Sequence, residues 1–460
     1  MTKDFTPRPY QTRIIDYILD NPRCSIWSGM GTGKTSATLT ALDILLLTTR
    51  GPVLVIAPKR VALSTWPDEV AKWSHLSHLT VQPIVGSLKD RKAALTKRAD
   101  IYTTNYDNLV WLVEYFGARW PFLTVIADES TRLKSFRIRQ GGKRAQALAK
   151  VAFRLVKRFV LLTGTPAPNG LVDLWGQLWF VDKGERLGYS FTAYTDRWFR
   201  SERVGDDAHA VKLTALPFAQ QQIEDRLRDV CLTIDARDYF DVAEPIVNVI
   251  RVDLPAKAQA IYREMEKEMF IELESGRGVE AFNAASKTMK CLQLASGAIY
   301  VDDKGNYEEI HDAKLDALES IVEEAAGMPI LVAYHFKSDL ERLAARFPKG
   351  RALDAHPATI RDWNAGQIPI LFAHPQSAGH GLNLQDGGNI IAIFSHWWDL
   401  EQFQQILERI GPIRQLQAGY DRPVFIHHIV AKGTMDELVM ARRETKREVQ
   451  DLLLEAMKQR

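Results

Sequence analysis

Short, mainly apolar runs alternate with amphipathic stretches along the chain, and this alternation limits the possible folds more than any other feature. In the first part of the sequence the candidate strands are residues 24–27, 53–57, 100–103, 123–127 and 159–162. Strands that are apolar on both faces and alternate with helices are typical of a parallel sheet covered by helices on both sides. The first part is therefore predicted to be a doubly wound α/β lobe.

The same alternation returns in the last third of the chain. Candidate strands are residues 330–333, 368–372, 389–394 and 424–429, with helical periodicity at 337–346 and 400–410. Between the two regions the strand signal fades and charged helical stretches dominate. We expect a first lobe at 1–170, a mostly helical insertion and linker at 171–312, and a second α/β lobe at 313–460.

Composition sets limits on partners and location. The 460 residues carry a net charge of only +2, so a nucleic-acid site would need a local basic surface. No apolar run approaches the roughly 20 residues that a membrane-spanning helix needs. We therefore expect no membrane partner. The three cysteines are far apart and show no metal-ligand spacing, which favours a reducing cytoplasm.

A glycine-rich loop, residues 28–35, lies between an apolar run and a helical stretch. Its backbone amides could surround phosphate oxygens at the positive end of a helix, with Lys34 reaching the β- and γ-phosphates and Thr35 binding Mg²⁺. Ser28 stands where the general pattern has glycine. The predicted nucleotide-binding residues of the loop are Gly29, Gly31, Thr32, Gly33, Lys34 and Thr35.

Two carboxylates follow the apolar run at 123–127. Open α/β sheets bind ligands at the carboxyl ends of their strands, so Asp128 and Glu129 are expected near the phosphate loop. We predict that Asp128 holds Mg²⁺ and that Glu129 polarises a water molecule for attack on ATP.

Residues 161–169 read Leu-Leu-Thr-Gly-Thr-Pro-Ala-Pro-Asn. Together with the phosphate loop and the acidic pair, this segment resembles the helicase-like ATPases of superfamily II, specifically the Swi/Snf-type DNA translocases. The resemblance covers roughly residues 5–445. It implies two RecA-like lobes that bind ATP and Mg²⁺, hydrolyse ATP and move along double-stranded DNA without separating its strands.

Further motifs resemble the same family in both lobes. Gln11 matches the residue that reads adenine, and residues 57–59, 103–106 and 132–135 match DNA-contacting or neighbouring motifs. Residues 377–384 resemble the fifth helicase motif, in which Gly381 is expected near the nucleotide. The resemblance implies DNA contacts at Lys59, Arg60, Thr103, Thr104, Lys134, Ser377 and Trp398.

The sixth motif departs from the family pattern. Gln405 and Arg409 match it, which makes Arg409 the preferred arginine finger, but Pro412 occupies the place of the usual second arginine. Arg414 follows two residues later, as either the second catalytic arginine or a surface residue. Thr131 replaces the usual histidine of the acidic motif, and His380 replaces an apolar residue in the fifth motif.

Several interpretations stay open at this stage. The leading one is an ATP-dependent duplex translocase in replication, recombination, repair or defence. The alternatives are a strand-separating DNA or RNA helicase and a non-hydrolysing DNA-binding scaffold. A separate nuclease or a replication or repair protein could be a partner, because the sequence contains no nuclease motif. The compact sequence favours the cytoplasm of a bacterial cell or phage-infected host.

Overall fold

A computed structural model describes residues 2–29, 31–49, 51–139, 141–203, 211–235, 238–239, 243–275, 280–302, 304–354, 356–378 and 382–458. The described residues form two compact units. The first contains most of the chain up to residue 239, and the second contains most of residues 243–447. The expected boundaries at 170 and 312 stay predictions. Residues 171–239 belong mainly to the first unit and 243–312 to the second.

Among its described residues, the first unit contains nine α-helices and nine β-strands. The helices are α1 (Pro9–Asp20), α2 (Lys34–Leu46), α3 (Trp66–Lys72), α4 (Leu88–Thr96), α5 (Leu109–Phe116), α6 (Lys143–Ala152), α7 (Leu174–Asp182), α8 (Phe191–Trp198) and α9 (Ala219–Leu227). The strands are β1 (Arg23–Ser28), β2 (Val53–Ala57), β3 (Val81–Ile84), β4 (Ile101–Asn105), β5 (Thr124–Asp128), β6 (Arg158–Thr163), β7 (Phe199–Arg203), β8 (Val211–Ala215) and β9 (Cys231–Ile234).

Seven of these strands form a parallel sheet in the order β3-β4-β2-β5-β6-β1-β9. Its two faces are buried in two separate hydrophobic clusters. Along β2, for example, Leu54 and Ile56 face one cluster, whereas Val53 and Val55 face the other. The sheet is thus covered on both sides, because consecutive side chains of a strand point to opposite faces.

The second unit repeats this plan. Its helices are α10 (Ala256–Ser275), α11 (Glu280–Ser296), α12 (Ala313–Glu324), α13 (Lys337–Arg346), α14 (Pro357–Asn364), α15 (Pro375–Ala378), α16 (Leu400–Leu407), α17 (Pro412–Gln417) and α18 (Met435–Lys458). Its strands are β10 (Ile246–Val252), β11 (Ala298–Tyr300), β12 (Tyr307–Glu309), β13 (Ile330–Ala333), β14 (Arg351–Ala352), β15 (Ile370–Ala373), β16 (Ile390–Ile393) and β17 (Phe425–Ala431).

Six strands of the second unit form a parallel sheet in the order β10-β17-β16-β13-β15-β14. Leu331 and Ala333 face one hydrophobic cluster, and Ile330 and Val332 face the other. The predicted fold, two RecA-like doubly wound parallel sheets, is confirmed. None of the described helices is both long enough and apolar enough to cross a membrane.

Candidate functional site

The phosphate loop connects β1, which ends at Ser28, to α2, which begins at Lys34. Gly31 and Gly33 have φ angles of 80° and 76°, in the left-handed region that favours glycine. A Cβ atom on Gly33 would lie only 2.3 Å from Nε2 of Gln11. Both glycines therefore allow a tight turn that ends at a helix N-terminus, an arrangement suited to binding phosphate.

Side chains of the loop are tied to its own backbone. The ammonium of Lys34 donates to the carbonyl oxygens of Ser28, at 2.5 Å, and Gly29, at 3.2 Å. Thr32 Oγ1 donates to the Gly29 carbonyl at 2.8 Å and accepts from Ser28 Oγ at 2.8 Å. Ser28, which departs from the general pattern, thus stabilises the loop with its hydroxyl group.

Gln11 connects α1 to the phosphate loop. Its side chain is buried, accepts from the backbone amide of Arg8 at 2.9 Å and donates to the Thr32 carbonyl at 3.1 Å. This contact places Gln11 beside the nucleotide-binding loop. Its reading of adenine stays a prediction.

Asp128 ends β5, next but one to β1 in the sheet. Its carboxylate accepts from Trp66 Nε1 at 3.0 Å and from the Glu129 amide at 3.1 Å. Burial raises the pKa of Asp128, while the charge of Lys34 and these two hydrogen bonds act to lower it. The charge of Lys34 thus acts on Asp128, and their joint role in binding Mg²⁺ and phosphate stays a prediction. The bond from Trp66 to the carboxylate forms only in the folded chain and was not foreseen from the sequence.

The backbone of Glu129 is left-handed, with φ 56° and ψ 57°. For a residue other than glycine this conformation is uncommon and is found preferentially at functional sites. The hydroxyl of Tyr106 donates to the carbonyl oxygens of Asp128 at 2.8 Å and of Glu129 at 3.2 Å. Sequence reasoning missed this support, because Tyr106 meets the acidic pair only in the folded chain.

The predicted Mg²⁺ ligands follow two strands of the same sheet that are separated by a single strand. β1 leads to the loop that carries Thr35, and β5 carries Asp128, with β6 between them in the same parallel sheet. A hydroxyl and a buried carboxylate are oxygen ligands of the kind that Mg²⁺ binds together with phosphate oxygens and water. The residues present therefore fit this cofactor.

The predicted DNA-contacting residues of the first unit differ in accessibility. Lys59 is exposed, Arg60 is partly exposed, and the Lys134 side chain is 33% exposed with its ammonium 3.7 Å from Oδ2 of Asp173. The hydroxyl groups of Thr103 and Thr104 are fully buried. They donate to backbone carbonyls, Thr103 to Ala62 at 2.5 Å and Thr104 to Ile84 at 2.9 Å.

The second unit brings the predicted arginines next to the fifth motif. Arg409 is 2% exposed and donates to the Leu382 carbonyl at 3.4 Å. Arg414 is partly exposed and donates to Oδ1 of Asn383 at 2.9 Å. The other predicted residues of this unit are Ser377, which is exposed, and Trp398, which is partly buried. Gly381 and His380 lie outside the described residues.

Comparisons with known proteins agree with these motifs. Residues 20–297, more than half of the chain, match the SNF2-related domain. Putative protein p41 of Acyrthosiphon pisum secondary endosymbiont phage 1 is 63% identical over 461 residues, with full coverage of both chains. A probable ATP-dependent DNA helicase of Arabidopsis thaliana is 26% identical over 466 residues. That match covers 93% of this chain but only 40% of the plant protein.

Among solved structures, the Sulfolobus solfataricus SWI2/SNF2 ATPase core in complex with dsDNA matches 99% of this chain. The match covers 94% of the Sulfolobus chain, with a TM-score of 0.44 and 20% sequence identity.

Proposed function

This chain belongs to the SNF2-related domain family and is a helicase-like ATPase, and we propose that it uses ATP hydrolysis to move along double-stranded DNA. The observation that carries the proposal lies in the first unit. A glycine-dependent phosphate loop follows β1, and a conformationally strained Glu129 follows β5, the next strand but one in the same parallel sheet. This pairing is suited to holding a nucleoside triphosphate beside a group that can activate water.

In this proposal ATP is the substrate and the residues of the first unit divide the work. The loop amides and Lys34 bind the phosphates, and Gln11 contacts the adenine. Glu129 orients the attacking water and accepts its proton. Thr35 and Asp128 would hold Mg²⁺, which neutralises charge on the phosphate oxygens when it is bound.

Arginines of the second unit are proposed to complete the reaction. Arg409 and Arg414 would stabilise the charge that develops on the transferred phosphate, a role typical of arginine fingers. Because the guanidinium stays charged at all physiological pH values, either residue can act without a change of protonation. Arg409 contacts Leu382 and Arg414 contacts Asn383, so both arginines lie against the fifth motif. These contacts support a joint role for the two arginines.

DNA would be bound mainly through its phosphates. Lys59, Arg60, Lys134, Ser377 and Trp398 are the proposed contacts, and contacts to phosphate set position without reading sequence. The buried hydroxyls of Thr103 and Thr104 support a different task, since Thr103 donates to Ala62 beside Lys59 and Arg60. We propose that Thr103 fixes the backbone that presents the two basic side chains, whereas Thr104 fixes the end of β3 through Ile84.

A strand-separating DNA helicase is the second candidate, because the Arabidopsis relative is named a DNA helicase. The phage relative supports action in the cytoplasm of a phage-infected bacterial cell, with a separate nuclease, replication or repair protein as partner. The pathway itself, whether replication, recombination, repair or defence, belongs to the proposal.

Hydrolysis of ATP by the purified chain tests the proposal. The rate is measured without nucleic acid and with duplex DNA, single-stranded DNA or RNA, using Glu129→Gln as the inactive control. We expect strong stimulation by duplex DNA and a loss of at least about 10²-fold in the variant. Stimulation by single strands or RNA alone would instead favour a helicase, and no hydrolysis under any condition would favour a scaffold.

A further inference from the structure

Gln177 of α7 forms hydrogen bonds with two loops at the carboxyl ends of the strands of the first sheet. Its side chain is 2% exposed, accepts from Ser130 Oγ at 2.9 Å and donates to the Pro166 carbonyl at 2.8 Å. The same amide nitrogen also donates to the Asp173 carbonyl at 3.0 Å. Ser130 directly follows Glu129, whereas Pro166 lies in the loop after β6, so one buried amide connects the acidic segment to a neighbouring strand end.

The contact between α7 and the acidic segment is unusually close. A Cβ atom on Gly176 would lie 2.4 Å from the carbonyl oxygen of Lys134 and 2.8 Å from that of Leu133. Only glycine allows the helix to approach the backbone at this distance. The approach brings the next residue, Gln177, within hydrogen-bonding distance of Ser130.

The hydrogen bond between Gln177 and Ser130 helps to hold the backbone of Glu129, the residue before Ser130, in its left-handed conformation. Glu129 keeps a left-handed backbone only if its surroundings hold it there. The Tyr106 hydroxyl holds the carbonyl groups of Asp128 and Glu129, and the Gln177 amide holds the side chain of the next residue, Ser130. A buried amide whose oxygen and nitrogen are both bonded has a fixed orientation, because any other position would leave polar groups unsatisfied.

We propose that Gln177 is a positioning residue for ATP hydrolysis. Through its bond to Ser130 it fixes the position of the Glu129 carboxylate, and through its bond to Pro166 it fixes that position relative to the loop after β6. The inference rests on the proposed role of Glu129 in hydrolysis. Gln177 itself does not contact substrate in this account. Its loss should allow the segment from Glu129 to Leu133 to relax and should displace the carboxylate from the attacking water.

The test compares full-length Gln177→Leu and Ser130→Ala, singly and combined, with the wild type. A small displacement of a reacting group can cost on the order of 10²-fold, so we expect Gln177→Leu to lower kcat by about 10- to 100-fold. KM for ATP and the affinity for a non-hydrolysable ATP analogue should change less than about twofold. Both substitutions break the same hydrogen bond, between Ser130 and Gln177. The double variant should therefore have a kcat only slightly lower than that of Gln177→Leu alone.

Tyr194→Phe is the matched control. Tyr194 is fully buried in the same unit, and its hydroxyl donates to the Leu171 carbonyl at 2.6 Å, just before α7, rather than to Ser130 or Pro166. This variant should lose thermal stability and keep its kcat. Equal losses of kcat in Tyr194→Phe and Gln177→Leu would overturn the inference, because they would reveal a general effect of destabilisation.

Hydrogen exchange gives a readout that does not depend on hydrolysis. Backbone amides of residues 129–133 should exchange faster in Gln177→Leu, and in the milder Ser130→Ala, than in Tyr194→Phe; unchanged exchange would contradict the inference. If Glu129→Gln is inactive while Gln177→Leu keeps the wild-type kcat, only the role of Gln177 fails. If Glu129→Gln hydrolyses ATP normally, the proposed role of Glu129 fails instead.

Discussion

At the residue scale, Glu129 combines the carboxylate that is proposed to activate water with a backbone conformation that suits glycine. Its φ of 56° is imposed by contacts to its neighbours, through Tyr106 on one side and Ser130 on the other. Strain of this kind persists where function needs the side chain in one place. The residue is therefore expected to trade stability for activity.

Replacing Glu129 by glycine and by alanine separates the effect of the lost carboxylate on activity from the effect of the backbone conformation on stability. Both variants should lose hydrolysis, but Glu129→Gly should be more stable than Glu129→Ala by about 1 kcal/mol, because only glycine adopts the left-handed region without a steric cost. The free energy of unfolding from denaturant titration measures this difference. An alanine variant as stable as the glycine variant would show that the backbone is not strained.

Gly33 and Gly29 offer a similar comparison in the phosphate loop. Gly33→Ala places a Cβ atom 2.3 Å from Gln11 Nε2 at a φ of 76°, whereas a Cβ atom on Gly29 meets nothing within 4 Å. We expect Gly33→Ala to lower the free energy of unfolding of the nucleotide-free protein by about 2 kcal/mol and to weaken ATP binding. The matched variant, Gly29→Ala, should leave stability unchanged; equal losses would refute this account of the loop.

The two arginines near the fifth motif differ in burial, which predicts different consequences of their loss. Arg409→Ala and Arg414→Ala should each lower kcat, by up to on the order of 10³-fold for the principal finger. Arg409→Ala should also lower the unfolding temperature, because Arg409 is 2% exposed, and Arg414→Ala should lower it less, because Arg414 is partly exposed. Wild-type kcat in Arg414→Ala would show that Arg414 takes no part in hydrolysis.

At the scale of elements, the central strands could be predicted because their side chains are apolar on both faces. β2, β5 and β6 read as continuous apolar runs. β10 lies inside the predicted helical insertion, although its sequence is largely apolar; it is an edge strand, and Val247 and Val249 are exposed on one of its faces. β9 was missed because four residues carry little periodicity, although it pairs with β1 and completes the first sheet.

The candidate site also contains some residues that can be recognised in the sequence and others that cannot. Lys34, Asp128 and Glu129 could be proposed from the sequence because contiguous motifs place them near strand ends, and their roles stay predictions. Tyr106, Gln177 and the contact from Trp66 to Asp128 could not, since these residues meet the acidic segment only through tertiary packing. Adjacent residues His427 and His428 lie on β17 as predicted, and only His428 is buried.

Buried histidines predict how the second unit responds to acid. Burial lowers the pKa of His428 to about 3 and of His335 to about 4, and it lowers that of His396 well below its usual value. The nearby Arg443 guanidinium adds to the effect at His428 and His396. Since these pKa values lie below that of an unfolded histidine, about 6.5, the unfolded chain binds more protons below this pH.

Stability of the second unit should therefore be full above about pH 6.5 and fall as the pH decreases toward 4. Asp339 opposes this trend, because burial raises its pKa to about 6, but three histidines outweigh one carboxyl. The unfolding temperature and the hydrogen exchange of β17, measured from pH 7.5 to 5, report the effect. His428→Phe, which keeps an aromatic ring in place, should flatten the dependence; an identical slope in the variant would argue against it.

At the scale of the whole molecule, two α/β units with separate cores carry different parts of one proposed reaction. The first holds the phosphate loop and the acidic pair, and the second holds Arg409 and Arg414 beside the fifth motif. In the proposed motor, ATP hydrolysis would change how each unit holds the DNA.

Displacement of a third strand from a DNA triplex tests movement along duplex DNA most directly. The chain is given ATP and a duplex that carries a triplex-forming strand, with Glu129→Gln as the control and a tailed duplex as the substrate for unwinding. We expect ATP-dependent release of the third strand, no release by Glu129→Gln, and no separation of the tailed duplex. Rapid ATP hydrolysis without release of the third strand, or separation of the tailed duplex, would contradict this expectation.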